Sequence, residues 1–341
     1  MGVNLGQLVS KKEIEMSDLQ GKKIGIDSYN VLYQFLSSIR SRDGQPLMDS
    51  KGKVTSHITG LLYRTVNLLE AGVKPVFAFD GKHHELKAKT IQERIKIRTD
   101  AGIKLEKART DGDLEGIRKY SQQSMRLTEE MVNEAKKLVE YMGLPVVQAK
   151  SEGEAQLAVM CAQGEIFGVG SQDYDSLLFG APFLIKNLTV TGRKKLPNKN
   201  VYIDVKTELI GLPDTLKSLN ISREKLIWLA LLLGTDFNEK FPNIGPKKAL
   251  KLVQENNSFE EIIKKTEFEP EFDWKEVENI FLNPDYNLDY KIQFKEPDTE
   301  RLIDFLCGQH DFSEERVKNA INKITAKAQE KGNQTALSQW G

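Results

Sequence analysis

The sequence predicts an α/β fold on a mostly parallel sheet flanked by helices, interrupted by one long charged helical insertion. Three observations predict it. Short apolar runs alternate with helical periodicity: KKIGID at 22–27, KPVFAFD at 74–80, LPVVQAKSEGE at 144–154 and IFGVGSQDYD at 166–175, as strand–helix–strand units require. Each run stops at a carboxylate. Between the second and third, residues 83–141 are almost continuously charged and helix-forming.

The chain has 341 residues, enough for one large domain or two smaller ones. Hydrophobic residues make up 39% and charged residues 29%, which suits a soluble protein with a charged surface. Lys+Arg and Asp+Glu are both 49, so net charge gives no argument for a polyanionic partner. Any such face must be a local basic patch balanced by acids elsewhere. Cys161 and Cys307 have no metal-ligand spacing and read as small buried hydrophobes in a reducing compartment. No apolar run reaches membrane-spanning length and no secretory signal opens the chain. A soluble, intracellular protein is expected, with no membrane partner.

Taken in order, residues 1–20 are expected to form a short amphipathic helix with Leu5, Leu8 and Val9 facing the core. Residues 22–27 make a strand, and 29–39 a helix with Val31, Leu32, Phe35, Leu36 and Ile39 apolar. Tyr33 on that helix is either a core aromatic or a platform for a base. Residues 42–53 carry Asp-Gly and Lys-Gly turn signals and make a loop. Residues 56–69 are helical and carry Arg64, and 74–79 form the second strand, ending at Asp80-Gly81.

The insertion breaks around Asp111-Gly112-Asp113. Lys87, Arg94 and Arg98 fall at i, i+7 and i+11, on one helix face. That face belongs either to a solvated, salt-bridged hairpin or to an arch whose cations hold phosphates. Residues 145–148 form a strand, followed by a helix through Gln163. Ser151-x-x-Glu154 fits a capping box. Glu152 and Glu154, like Asp173 and Asp175, stand two apart and share a side if the chain is extended. Residues 180–205 read as further strand pairing, and Arg193-Lys194-Lys195 as a solvated loop. Ser222 caps a helix to Leu233, closed by Gly234-Thr235-Asp236. A turn at 241–245 feeds a helix through Pro246, and its N–H groups suit a phosphate. Lys247 and Lys248 oppose the dipole there, which a nearby anion would explain. Residues 255–330 are helical. The polar tail from 328 is expected to be disordered, with Gln334, Leu337 and Trp340 on one side of a turn that fits a partner's hydrophobic pocket.

If the apolar runs are neighbouring parallel strands, their acids meet at one sheet edge, where ligand sites of open α/β sheets lie. Asp27, Asp80, Glu152, Glu154, Asp173, Asp175 and Asp236 then converge. So many carboxylates do not stay ionised together without cations. Hard divalent ions such as Mg2+ relieve them, the arrangement of a two-metal phosphodiesterase.

The stretches IDSYNVLYQFL (26–36), TSHITGLLYRT (55–65), KPVFAFDGK (74–82), SEGEAQ (151–156), SQDYD (171–175), LLGTDFN (232–238), IGPKKAL (244–250) and FSEERV (312–317) together span nearly the whole chain. In order and spacing the sequence resembles the flap structure-specific 5′-nucleases of DNA replication and repair, in their archaeal and eukaryotic form. The resemblance implies a PIN-like (resolvase-like) core with an N-terminal nuclease region over 1–98, a helical arch over 84–141 and an internal nuclease region over 116–258. It also implies a helix-turn-helix duplex clamp at about 222–258, a C-terminal helical part over 259–330 and a flexible tail over 331–341.

It further implies that Asp27, Asp80, Glu152 and Glu154 serve one Mg2+. Asp173, Asp175 and Asp236 would serve a second, with Mn2+ as a substitute. Lys87, Arg94, Tyr33 and Gly2 would act at the scissile nucleotide. Arg40, Arg64, Glu152, Gly234, Asp236 and Thr55 would contact DNA, Phe312 lying near the 3′-flap pocket. Ile244, Gly245, Lys247 and Lys248 would hold duplex phosphates, with K+ nearby. Gln334, Leu337 and Trp340 would dock on the sliding clamp (PCNA). The implied protein is a monomer that removes 5′ flaps from branched DNA and digests 5′ ends, at replicating DNA. A noncatalytic junction adaptor, or a relative with another junction preference, is the alternative. Three departures stand out. His83-His84 replaces Pro-Pro after Asp80-Gly81-Lys82, which softens the lead into the arch. Asn243 replaces a glycine in the duplex-clamp turn. Gly341 follows Trp340 where a second aromatic is usual.

Overall fold

The computed structural model describes residues 3–41, 44–189, 193–195 and 202–337, without the side chains of 193–195, 202–204 and 327–337. Its main sheet has the strand order β1-β9-β6-β5-β2-β3-β4. These are β1 (Lys11–Ile14), β2 (Lys23–Asp27), β3 (Lys74–Phe79), β4 (Val146–Gln148), β5 (Gly168–Gly170), β6 (Phe183–Lys186) and β9 (Thr207–Gly211). From β4 to β6 every neighbour is parallel, and β9 and β1 close one edge antiparallel. Strands β7 (Arg193–Lys195) and β8 (Tyr202–Asp204) pair as a separate antiparallel ribbon.

The centre of the sheet is buried on both faces, as parallel strands require. Phe77 and Phe79 of β3 point into one core, and Val76 and Ala78 into the other. The Phe77 side is covered by α1 (Ser28–Ser38), α2 (Ser56–Glu70), later α5 (Glu129–Tyr141) and part of the C-terminal helices. Gly25 faces the opposite layer. A Cβ there would come within 2.5 Å of Leu157 and 2.6 Å of Ile166, so only glycine lets the helix over Gly153–Ala162 lie flat on β2.

After β3 the chain leaves the sheet as α3 (Ala88–Thr110), turns at Gly112 and returns as α4 (Leu114–Gln123). Asp113 caps α4 through Gly116 N–H at 2.9 Å. Helix α3 buries only Ala101, Leu105 and Ala108, and Ile97 and Ile103 stay 62% and 67% exposed. The insertion thus stands off the core. After α5 and β4 come α6 (Gly153–Ala162), α7 (Asp175–Leu178), α8 (Leu212–Leu219), α9 (Arg223–Leu233) and α10 (Pro246–Glu255). Helices α11 (Phe259–Thr266), α12 (Trp274–Leu282), α13 (Thr299–Ile303) and α14 (Glu314–Leu337) complete the chain.

Four expectations are corrected. Residues 1–20 do not form an amphipathic helix: from Val3 onward, a turn (Leu8 N–H to Leu5 O, 2.8 Å) buries Leu5 and leads into β1 and a short 3-10 turn. Asn4 and Gly6 are poor helix formers, and the edge of β9 offers a pairing partner. Strand β9 itself lies beyond the expected strand region. The tail is helical to Leu337, because α14 continues past residue 328. Cys161 is buried as expected, but Cys307 is half-buried. Among the described residues no helix is long and apolar enough to cross a membrane.

Candidate active site

The parallel strands deliver their acids to one edge. Asp27 is the last residue of β2 and also caps α1, its Oδ1 accepting from Asn30 N–H at 3.1 Å. Asp80 follows β3, and its Oδ1 accepts from Gly153 N–H at 2.8 Å, at the N-terminus of α6. Glu152 is the N-cap residue of α6 and Glu154 lies in its first turn. Ser171 donates to Glu154 Oε1 at 2.7 Å and lies 3.4 Å from Asp27 Oδ2. Asp173 accepts from Asn30 Nδ2 at 2.9 Å, and Asp175, opening α7, from Val3 N–H at 2.9 Å. Lys87 stands between Glu152 and Asp236, and the charges of Asp236 and Asp173 act on Asp175.

The route to this convergence differs from the expected one. The Ser151–Glu154 capping box does not form, since α6 has no side-chain cap and Glu154 turns to Ser171. Nor are the i, i+2 pairs in extended chain. Glu152 and Glu154 straddle a helix start, and Asp173 precedes the one that Asp175 opens. Helix N-termini, with their free N–H groups and positive dipole ends, aim the acids. Asn30 and Ser171 were missed as site residues. Their only sequence signal is that Asn30 follows Asp27 and Ser171 precedes Asp173, because the acids their side chains bind come from other segments.

Crowding raises the acids' affinity for protons. Burial, then the charges of Asp80 and Asp173, push Asp27 up to about 8. Burial and Glu152 push Asp80 to about 6, and burial with Asp236 and Asp173 pushes Asp175 to about 7. Burial and the neighbouring aspartates hold Glu154 well above the usual range. Glu152 goes the other way. Burial opposes its ionisation, but His83 and Lys87 outweigh burial and draw it down to about 2.

The arch turns its basic face onto this cluster. Buried Lys87, at the foot of α3, pairs with Glu152 and lies 3.3 Å from Asp236 Oδ2. Arg94 Nη2 reaches Asp236 Oδ1 at 2.5 Å. Thr90 donates to the Asp236 carbonyl at 2.9 Å. Arg98 lies 4.8 Å over the Tyr33 ring, which is half-exposed and so not a core aromatic. Lys87, Arg94 and Arg98 therefore face inward, against the solvated-hairpin alternative.

The XPG N-terminal domain matches residues 1–101 and the XPG I-region residues 143–236, more than half of the chain. The flap endonuclease 1 of Pyrococcus abyssi is 50% identical over 341 residues, covering 100% of this chain and 98% of that one. That of Thermococcus onnurineus is 51% identical, covering 100% and 99%. The solved flap endonuclease-1 from Methanococcus jannaschii is 38% identical and superposes with a TM-score of 0.77 over 97% of this chain and 100% of that one.

The chain belongs to the flap endonuclease family. It is thus a nuclease, a hydrolase of phosphodiester bonds. Its residues fit the metal dependence of that family. The donors are carboxylate oxygens, four of them pushed toward protonation by burial and by one another's charge. Glu152 Oε1 is buried and accepts no hydrogen bond.

The remaining predicted residues of this flap endonuclease lie outside the acid cluster. Arg40 clasps α1 to the arch, donating to Ser37 O, Gly44 O and Ser121 Oγ at 3.0, 2.9 and 2.8 Å. Arg64 is half-buried beside Glu15, Leu188 and Thr189. Thr55 is buried at the start of α2, and Phe312 is half-buried against the C-terminal core. Gly234, at φ +85°, closes α9 and sends Asp236 back toward the arch. Buried Ile244 and cap residue Gly245 lead into α10, where Lys247 and Lys248 are exposed. Asn243 adopts φ +56°, the left-handed conformation that asparagine tolerates.

In the lead into the arch, His84 makes two local contacts. His84 Nδ1 accepts from Leu86 N–H at 3.3 Å, and its ring meets Phe237 edge-on. Gly2, Trp340 and the side chains of Gln334 and Leu337 lie outside the described residues.

Proposed function

We propose that this nuclease hydrolyses one phosphodiester near the base of a 5′ flap in branched DNA and trims 5′ ends, leaving a 5′-phosphate and a 3′-hydroxyl. The observation that carries the proposal is the inward face of the arch, with Lys87 and Arg94 set against the acid cluster. A noncatalytic adaptor would need neither group. The M. jannaschii relative is named a flap endonuclease. The Rad2 catalytic core, 23% identical with a TM-score of 0.69, shares the fold and was solved with a DNA substrate.

Two Mg2+ ions would be held, one by Asp27, Asp80, Glu152 and Glu154 and one by Asp173, Asp175 and Asp236. When bound they supply Lewis acidity and neutralise charge as water attacks phosphorus. The chain's own groups do the rest. Asn30 and Ser171 orient the acids. Lys87 and Arg94, released from Glu152 and Asp236 once those are neutralised, hold the scissile phosphate and its developing charge. Tyr33, backed by Arg98, stacks on the base beside it. The turn from Asn243 to Lys248 holds duplex phosphates at an N-terminus, with K+ beside it. Gln334, Leu337 and Trp340 dock on the sliding clamp during flap removal in replication and repair. The protein acts as a monomer and reads junction shape rather than sequence.

Mapped incision on a 5′ flap with a one-nucleotide 3′ flap, beside bubble, nicked duplex and single-stranded DNA, tests the substrate. Cuts at the flap base with the flap preferred are expected. A stronger preference for the bubble or the nick would replace the flap as the substrate.

A further inference from the structure

His83 stands beside two of the acids. One ligand atom each from Asp80, His83 and Glu152 lie within 4.8 Å of one another. Glu152 Oε2 is taken by Lys87, while Oε1 is buried without a hydrogen-bond partner. His83 Nδ1 faces that oxygen at 3.6 Å. The spacing is long for a hydrogen bond. It is close to that of two donors sharing one ion, which stand roughly 3 to 3.5 Å apart when each is about 2.1 Å from the metal. The imidazole is 43% exposed, so an ion reaches it from solvent and the ring has room to adjust.

We propose that His83 is a metal ligand, joining Asp80 and Glu152 in a mixed nitrogen–oxygen site that takes a borderline divalent ion such as Mn2+ or Zn2+ more tightly than Mg2+. The inference rests on reading the acids as metal ligands. Mg2+ favours oxygen donors and keeps its waters, whereas imidazole raises affinity for later first-row ions. His84 does not share the role, because its Nδ1 accepts from Leu86 N–H and its ring lies against Phe237. The other two of the four histidines, His57 and His310, are buried beside Glu134, away from this edge.

Electron spin-echo modulation of bound Mn2+ tests this without turnover. The full chain is stripped with EDTA and given Mn2+ below stoichiometry. Nitrogen-14 modulation is expected in the wild type and in His84→Ala, and none in His83→Gln. Mn2+ affinity should fall about tenfold in His83→Gln, with Mg2+ affinity unchanged and the same melting temperature in EDTA. Mn2+ bound without nitrogen modulation, or modulation that survives in His83→Gln, overturns the His83 assignment while the acids stand as ligands. A wild type that binds neither Mn2+ nor Mg2+ sinks the metal reading and the His83 assignment together.

Discussion

Lys87 Nζ lies 3.3 Å from Asp236 Oδ2, tying the foot of the arch to the far side of the carboxylate cluster. The lysine is buried, and burial opposes its charge, yet Glu152 and Asp236 hold it protonated above its ordinary range. It is therefore a fixed positive charge aimed where phosphate charge develops. Replacing it with methionine keeps most of the volume and removes the charge. Single-turnover cleavage by Lys87→Met should fall about 10²–10³-fold, with flap binding weakened far less. A variant that binds poorly but cleaves normally once bound would make Lys87 an anchor only.

The raised acids set a pH dependence in metal-free protein. Asp27, Asp175 and Asp80, at about 8, 7 and 6, bind protons more tightly folded than unfolded. Stability therefore falls as pH rises from the ordinary carboxylate range, about 4, toward 8. Glu152, drawn down to about 2, has the opposite sign, but its effect lies below that window. Thermal melts in EDTA should show a lower Tm at pH 8 than at pH 5.5. Saturating Mg2+ should raise Tm more at pH 8 than at pH 5.5, because fewer protons must then be displaced. A Tm in EDTA that climbs through this range would show that the cluster is not crowded with unneutralised charge.

Val3 N–H donates to Asp175 Oδ1 at 2.9 Å, so the start of the chain is seated against a metal-ligand candidate. An uncleaved N-terminal extension should disturb Asp175 and lower single-turnover cleavage by about tenfold or more, while folding is unchanged by circular dichroism. Equal rates with and without the extension would separate the N-terminus from the site.

Asn243 holds φ +56° in the turn before α10. Alanine there should cost about 1–2 kcal/mol and glycine close to nothing, read as shifts in the urea midpoint. If the turn holds duplex phosphates, Asn243→Ala should also weaken duplex binding more than single-strand binding. Equal stability of the two variants would mean that the turn relaxes without strain.

Most of the fold was legible because its signals are local. Phe77 and Phe79 alternate with Val76 and Ala78, and each run ends in an acid, so strands and site edge follow from period and punctuation. The N-terminal segment was not legible. Leu5, Leu8 and Val9 look like one helix face, yet the segment is a turn that leads into pairing with β9, nearly two hundred residues away. The acids that end the runs stood out, but their aim did not, since Asp27 caps α1, Glu152 holds the N-cap position of α6, and Glu154 and Asp175 lie in the first turns of α6 and α7. In the sequence His83 stood out only as part of the His83-His84 departure after Asp80-Gly81-Lys82. Only the folded chain shows it facing the open oxygen of Glu152.

The most direct test of the account is single-turnover cleavage of an end-labelled double flap by wild type and Asp173→Ala, in Mg2+ and in EDTA, with flap binding measured in parallel. Incision at the flap base is expected in Mg2+, none in EDTA, and none by Asp173→Ala although it still binds the flap. Tight binding without cleavage by the wild type in Mg2+, or cleavage by Asp173→Ala at the wild-type rate, would contradict it.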